Sequence, residues 1–264
     1  MTQETPGPSN GVTAAAPLSA MDGVLDRMDR VLERCLRERS RLGYFAMLYR
    51  DVTARVRDAI AGGVFDDGPR MERLDVTFAG RYLDALDLYW NGGTPTRSWQ
   101  VAFGSAQRWS PVVLQHLLLG MNAHINLDLA IAAAQTCPGA ELPALENDFR
   151  RITGLLGGMI DGVQQCLERV SPWLRLVDRV GGRTEDRVIG FAIGAARDLA
   201  WSTACRLAAE SPEELSREVA EHDLLVATLA GAIRSPGPLL AWTLYMVRLR
   251  ELRGVPRIID ALRT

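Results

Sequence analysis

Residues 112–134, near the middle of the chain, are apolar on nearly every face if they form a helix. A helix of this kind belongs inside a protein rather than on its surface. A buried polar group without a partner costs about 1–3 kcal/mol, and an unpaired charge costs more. The segment therefore predicts a central buried helix that either joins an internal polar network or lines a chemical site. Between His116 and Ala130 it carries five polar side chains, namely His116, Asn122, His124, Asn126 and Asp128.

The rest of the chain also predicts helices, because apolar residues recur there at three- and four-residue spacing. No stretch alternates with period two between turns, so we expect no sheet. Ser110-Pro111 predicts the start of the central helix and Ser211 the cap of a later one, while Leu145–Val170 predicts one long helix. We expect an all-α, single-domain bundle of about eight helices over residues 20–264, after a disordered leader at residues 1–19.

Composition narrows the partners and cofactors. The chain has no lysine, so all 30 basic residues are arginine, and lysine-bound pyridoxal phosphate is excluded. It has no P-loop and no GxGxxG motif, so no nucleotide is expected. The net charge of −2 favours neither nucleic acid nor a membrane as partner. No signal peptide is evident, no uninterrupted apolar run reaches about 18–20 residues, and the four cysteines form no CxxC pair. We expect a cytoplasmic protein.

The polar residues of the central helix fall into two rows. His116, Gly120, His124 and Asp128 recur every four residues, and Gly120 leaves a gap between the two histidines. Asn122 and Asn126 lie on the other side of the helix. His124 and Asp128 can both reach one divalent metal ion, and further ligands would have to come from Asp148, Asp75, Glu146 or His116.

Three interpretations stay open for these rows: a divalent metal site, a structural network in which Asp128 fixes the His124 tautomer, and a metal-free acid–base or binding site.

Two other segments place polar residues among apolar ones. Arg197 needs a carboxylate partner if it is buried, and Asp128 and Asp148 are the candidates. The same arginine can stack on Trp201, four residues later. A structural arginine–carboxylate bridge is the simpler alternative. Asp75 and Arg81 form a weaker cluster, in which Gly80, just before Arg81, is expected to permit close approach. His222 is expected to be exposed.

The motif Asn-Ala-His-Ile-Asn-x-Asp-Leu at 122–129 resembles the signature of a bacterial and fungal family of unknown function, numbered 5995. The similarity extends over most of the chain, including Leu42–Thr53 and Met71–Ala85. It brings no established reaction, but it implies that one family pattern contains His124, Asn126, Asp128, Asp148 and Arg197. The family often has a histidine where this chain has Phe149, so a metal site here would have one ligand fewer.

Together these observations predict an enzyme that acts on a small, largely apolar organic molecule by acid–base or metal-assisted hydrolysis, isomerisation or cyclisation. A non-catalytic module that binds a small molecule and a purely structural polar network are the alternatives. The expected catalytic residues are His124, Asp128, Asp148 and Arg197. The expected substrate-binding residues are Asn122, Asn126, Asp75, Arg81 and Trp201. The expected ligands of one divalent metal ion are His124, Asp128, Asp148 and His116.

Overall fold

A computed structural model describes residues 20–157, 160–174 and 185–263, so the expected leader lies outside the described residues. All regular structure within these ranges is helical, which confirms the all-α prediction. The α-helices are α1 Ala20–Glu38, α2 Gly43–Ala61, α3 Gly68–Trp90, α4 Arg97–Ala106, α5 Val113–Ala123, α6 Leu129–Thr136, α7 Leu142–Gly157, α8 Ile160–Val170, α9 Glu185–Leu207, α10 Pro212–Arg234, α11 Pro238–Arg250 and α12 Val255–Ala261. A π-helical turn at His124–Asp128 joins α5 to α6, and a 3₁₀ turn at Gly139–Glu141 precedes α7.

The central helix consists of α5, the π turn and α6. Nearly all of its residues are buried, and helices α2, α3, α4, α9 and α10 pack around it. By length and composition Val113–Thr136 is apolar enough to cross a membrane, with a mean hydropathy of 1.4, although polar residues interrupt it. Because 83% of its apolar window is buried inside the protein, the structure supports the predicted core position.

Two apolar clusters meet along this central helix. The first contains Leu117, Leu119 and Ala123 of α5, packed against residues of α1 to α4. The second contains Leu127 together with α6, packed against residues of α3, α7 and α9. The π turn lies where the helix passes from one cluster to the other. Single-turn π segments inside α-helices occur often at functional sites.

Several helix boundaries differ from the predictions. The central helix begins at Val113 rather than at Ser110-Pro111, because Glu251 accepts a hydrogen bond from the Val113 N–H over 2.9 Å. Two helices, α7 and α8, are described where the sequence predicted one long helix over Leu145–Val170. Helix α12 was not predicted, because it is too short to show a helical period. The predicted cap at Ser211 is confirmed by a hydrogen bond from the Glu214 N–H.

Gly120 allows a ring to enter the central helix surface. A Cβ atom built on Gly120 would lie 2.4–3.0 Å from atoms of Phe45. The gap expected between the two histidines is therefore filled by the Phe45 ring. Gly80, in contrast, has open space around its Cβ position, so the expected close packing there is wrong.

The contrast between these two glycines gives a stability prediction. Gly120→Ala should lower the free energy of unfolding by about 1–3 kcal/mol, because the methyl group displaces Phe45 in a packed core. Gly80→Ala should raise it by up to about 1 kcal/mol, because alanine favours a helix and meets nothing. Urea unfolding of both variants measures the difference. Equal effects at the two positions would contradict the packing of Phe45 on Gly120.

Candidate functional site

The carboxylate of Asp128 lies at the centre of the predicted polar groups, and only 1% of the residue is exposed. Arg81 on α3 donates from Nε to Oδ1 over 2.9 Å. Trp99 on α4 donates from Nε1 to Oδ2, also over 2.9 Å. The Nδ1 atom of His124 lies 3.3 Å from Oδ2. Donors from three helices therefore satisfy this buried charge, as burial requires.

Aromatic rings enclose His124, which is 2% exposed. Phe78 stacks on the imidazole, with ring centroids 3.6 Å apart and planes 6° from parallel. Tyr49 meets the imidazole edge-on at 4.2 Å, and Phe45 and Tyr82 lie at 5.9 and 6.1 Å. Of these four rings only Phe78 is partly exposed. The Phe78 ring therefore separates the imidazole from solvent.

The partner of His124 fixes its tautomer. Because a carboxylate only accepts hydrogen bonds, Nδ1 carries the proton and Nε2 carries a lone pair. Within the described residues, no group hydrogen-bonds to this buried Nε2 atom. Burial lowers the pKa of His124 below its ordinary value; the Asp128 hydrogen bond and charge oppose this effect, and the Arg81 charge adds to it. His124 is thus a neutral imidazole with an unused basic nitrogen.

Asp75 is a second buried group with an unused polar atom. It lies one helical turn before Phe78 on α3 and is 6% exposed. Burial raises the pKa of Asp75 to about 7, and its Oδ2 atom has no hydrogen-bond partner in the described part of the chain. Burial also raises the pKa of Tyr49 well above its ordinary value, and the charge of Asp75 adds to this rise. Tyr49 therefore lies near Asp75 while its ring contacts His124.

The two asparagines point to another helix. Asn122 donates from Nδ2 to the Val226 carbonyl over 3.0 Å, and Asn126 donates from Nδ2 to Asn122 Oδ1 over 2.9 Å. The carbonyl of Asn126 accepts a hydrogen bond from His222 Nε2 over 2.7 Å. His222 is only 7% exposed, so its predicted exposure is wrong. These hydrogen bonds link α10 to the central helix. They lie on the side of the central helix where the asparagines were predicted.

Asp148 belongs to α7, and its carboxylate contacts the start of α3 rather than His124. It accepts hydrogen bonds from the backbone N–H groups of Asp66 and Asp67 over 2.7 and 3.1 Å and from Arg70 over 3.0 Å. Burial by itself would raise the pKa of Asp148, but these donors outweigh it and hold the pKa below its ordinary value. Arg151 lies 3.5 Å from the same carboxylate. The predicted pairing of Asp148 with Arg197 is therefore wrong.

Arg197 forms a separate cluster with Phe149. It is 4% exposed, donates from Nη2 to the Phe149 carbonyl over 2.8 Å, and lies 4.8 Å above the Phe149 ring. That ring also contacts Trp201, with centroids 4.9 Å apart, so the predicted stacking of Arg197 on Trp201 is wrong. Burial lowers the pKa of Arg197 to about 10. A cavity of about 250 Å³ is lined by Phe149, Arg150, Gly194, Arg197, Asp198 and Trp201.

His116 lies beside a small cavity that Phe45 and Gly120 also line. The cavity has a volume of about 20 Å³, room for roughly one water molecule, and Arg41 is another of its lining residues. Burial lowers the pKa of His116 to about 3, and the charges of Arg41 and Arg248 contribute. The two histidines share neighbours, because Phe45, Tyr82 and Trp99 line this cavity and also lie within 6.1 Å of the His124 ring, measured between centroids.

The proposed metal ligands do not converge. Among the described residues, no group of three His, Cys, Asp or Glu side chains is placed to hold a metal ion. Asp148 caps α3, His116 faces the small cavity, and both oxygens of Asp128 already accept from N–H donors. The set of His124, Asp128, Asp148 and His116 is therefore wrong as one metal site.

Five aromatic residues of the site were not predicted as site residues from the sequence, namely Phe45, Tyr49, Phe78, Tyr82 and Trp99. Each lies in an amphipathic helix, where an aromatic residue at helical spacing indicates an ordinary core position. The indole N–H of Trp99 was the available signal, because a buried indole needs an acceptor.

The burial of Asp128 gives a second stability prediction. Asp128→Asn should lower the free energy of unfolding by about 3 kcal/mol, because an amide presents an N–H group where only acceptors fit. Asp84→Asn is the matched control. Asp84 bonds Arg27 over 2.8 Å with its side chain 73% exposed, so its loss should cost less than about 1 kcal/mol. Similar losses in thermal or urea unfolding would contradict the role of Asp128.

The pKa of Asp75 gives a pH prediction. Its folded value of about 7 exceeds the ordinary 3.8, so the folded state binds more protons than the unfolded state between these pH values. The stability contributed by protonated Asp75 is therefore complete below about pH 4 and is lost as the pH rises through 7. Relative to the native chain, Asp75→Asn should gain on the order of 2–4 kcal/mol in unfolding free energy between pH 4 and pH 8. A constant difference across this range would contradict a raised pKa.

Comparison with known proteins identifies one family. Neither the curated proteins nor the solved structures contain a significant match to the chain. The sequence model of a family of unknown function, DUF5995, matches residues 21–236, which include the central helix, Asp75 and Arg197. Because this match covers most of the 264 residues, the chain belongs to the DUF5995 family.

Proposed function

We propose that the protein is an enzyme that carries out acid–base chemistry on a small, largely apolar organic molecule at His124. The observation that carries this proposal is the buried Nε2 atom of His124, which has a lone pair and no hydrogen-bond partner within the described residues. A polar atom left in this way costs stability, and this one belongs to a titratable ring whose other nitrogen is held by Asp128. The aromatic rings around the imidazole suit an apolar substrate.

The residues around Nε2 supply the other roles. Asp128 accepts from Nδ1, which orients the ring and stabilises the imidazolium formed when Nε2 takes a proton. Asp75, with a pKa of about 7, can deliver a proton near neutral pH. Hydrolysis, isomerisation and cyclisation all combine proton removal with proton delivery. In this proposal Arg81 and Trp99 hold Asp128 and are positioning residues.

Access to His124 would pass Phe78 and Arg81. Both are partly exposed on α3, and they contact His124 and Asp128 respectively. Because the Phe78 ring stacks directly on the imidazole, a substrate reaches Nε2 only when that ring moves aside. The cluster around Arg197 and the asparagine pair have other partners, so we assign them no step.

We favour metal-free chemistry over the metal-assisted alternative. Both oxygens of Asp128 accept from N–H donors, and a cation there would have to displace Arg81 or Trp99. The fact that both Asp128 oxygens already accept hydrogen bonds also favours the second candidate, a polar network with a purely structural role. The two candidates differ in what they require of Nε2, because a structural network needs only Nδ1 of His124.

Replacement of His124 by phenylalanine separates the two functions. If Nε2 serves chemistry, His124→Phe keeps the stack on Phe78, loses one long hydrogen bond, and changes the unfolding free energy by less than about 1 kcal/mol. The same variant should lose all turnover in a panel of small apolar esters, lactones, epoxides and ketones followed by NMR. His222→Phe is the matched control and should lose stability through the Asn126 carbonyl while it retains turnover.

Nitrogen-15 spectra add a readout of ligand binding. The chain has only three histidines, so labelled imidazoles can be assigned from single variants. A panel compound bound at the site should shift the Nε2 resonance of His124. A native protein that converts no compound and shows no such shift, together with a loss above about 3 kcal/mol in His124→Phe, would favour the structural network.

A further inference from the structure

Helix α11 exposes an apolar face. Leu239 and Trp242 are 68% and 64% exposed, and Tyr245 and Leu249 are 48% and 40% exposed. Their spacing of three and four residues places them along one side of the helix, which we call the α11 stripe. The opposite side buries Thr243, Leu244 and Val247 in the protein. The helix is therefore apolar on both sides, and one side lies open in the described structure.

The open surface extends beyond α11. The ring of Trp109, 51% exposed, contacts Tyr245 with centroids 6.1 Å apart. The second half of α10 also exposes apolar residues, namely Leu224, Leu225 and Leu229. Soluble proteins rarely expose contiguous apolar patches above a few hundred Å², and larger patches mark contact surfaces. Together α10 and α11 are apolar enough for a membrane span, but a bend of 64° separates them, which suits helices that lie along a surface.

Positive charge accompanies this apolar surface. Residues 234–264 contain six arginines and two acidic residues, a formal side-chain charge of +4 in a chain of net charge −2. One of the two acids, Glu251, is buried with Arg248. Arg108, beside Trp109, and Arg250 and Arg253, near the end of α11, are exposed and have no carboxylate within 4 Å in the described ranges. Aromatic and aliphatic side chains flanked by arginine are typical of segments that bind anionic lipid surfaces.

A second copy of the chain fits this surface less well. In a twofold dimer the same patch lies on both subunits, so a second copy offers this positively charged surface no opposite charge. An anionic bilayer supplies the opposite charge and an apolar interior for Trp242 and Tyr245. We propose that the α11 stripe, with Trp109 and the flanking arginines, binds the surface of an anionic lipid bilayer. This differs from the sequence-based expectation of no membrane partner, which rested on the net charge of the whole chain, and it does not depend on the enzymatic proposal.

Co-sedimentation of the full chain with lipid vesicles tests the proposal. The chain should bind phosphatidylcholine vesicles that contain roughly one-third phosphatidylglycerol, and bind pure phosphatidylcholine at least about tenfold more weakly. High salt should weaken the binding, because the charges lie at the surface. Trp242→Ser with Tyr245→Ser should reduce the affinity at least about tenfold, and Arg250→Glu should reduce it about fivefold or more.

The controls separate the lipid surface from other causes. Val64→Ser removes an apolar side chain that is 48% exposed elsewhere and should leave vesicle binding unchanged. Equal thermal midpoints in all variants show that the fold is retained. The proposal is overturned if the native chain does not bind the anionic vesicles or binds neutral ones equally well. A dimer in light scattering that Trp242→Ser dissociates would instead assign the stripe to a second copy.

Discussion

The buried charge of Asp128 constrains how the helices around it pack. A carboxylate that is 1% exposed is tolerated only when donors surround it, and here the donors come from α3, α4 and the central helix. Arg81 and Trp99 must therefore face the same point. With α3 fixed in this way, Phe78 lies one turn from Arg81 and stacks on His124. The need to satisfy one carboxylate thus also positions one of the rings that enclose the imidazole.

Three further buried acids stabilise the first turns of other helices. Asp148 accepts from backbone N–H groups at the start of α3, Asp223 from those of Arg97 and Ser98 at the start of α4, and Glu251 from that of Val113 at the start of α5. Each acid lies far along the chain from the helix it caps. A negative charge at a helix N-terminus is favourable because it meets unpaired N–H groups and the positive end of the helix dipole. These long-range caps tie the helices together and add to local ones, since Asp67 accepts from the Arg70 N–H in α3 and Gln115 from the Val112 N–H before α5.

Unused buried polar atoms occur in several parts of the described structure, including Arg70 Nε and His116 Nε2, and three of them, on His124, Asp75 and Tyr49, lie in the candidate site. Asp128, Asp148, Asp223 and Glu251 are all supplied with donors. In the part of the chain that the structure describes, His124 Nε2 and Asp75 Oδ2 are buried without partners. The two groups approach the same ring, Tyr49, from different helices. These two unpartnered atoms lie at or beside the π turn, where the central helix departs from regular α-helical geometry.

The sequence by itself determined the all-α class, the buried central helix and the two polar rows of that helix, because helical periodicity and apolar composition are local properties. It also identified Asp75, Arg81, His124 and Asp128 as unusual. Only the tertiary structure decided the partners, since hydrogen bonds between distant segments depend on how the helices pack. It separated Asp148 and Arg197 from His124, buried His222, filled the gap at Gly120 with Phe45 and brought Tyr49, Phe78 and Trp99 to the site. An aromatic side chain in an amphipathic helix gives no local sign of which polar group it will contact, because that depends on helices far away in the sequence.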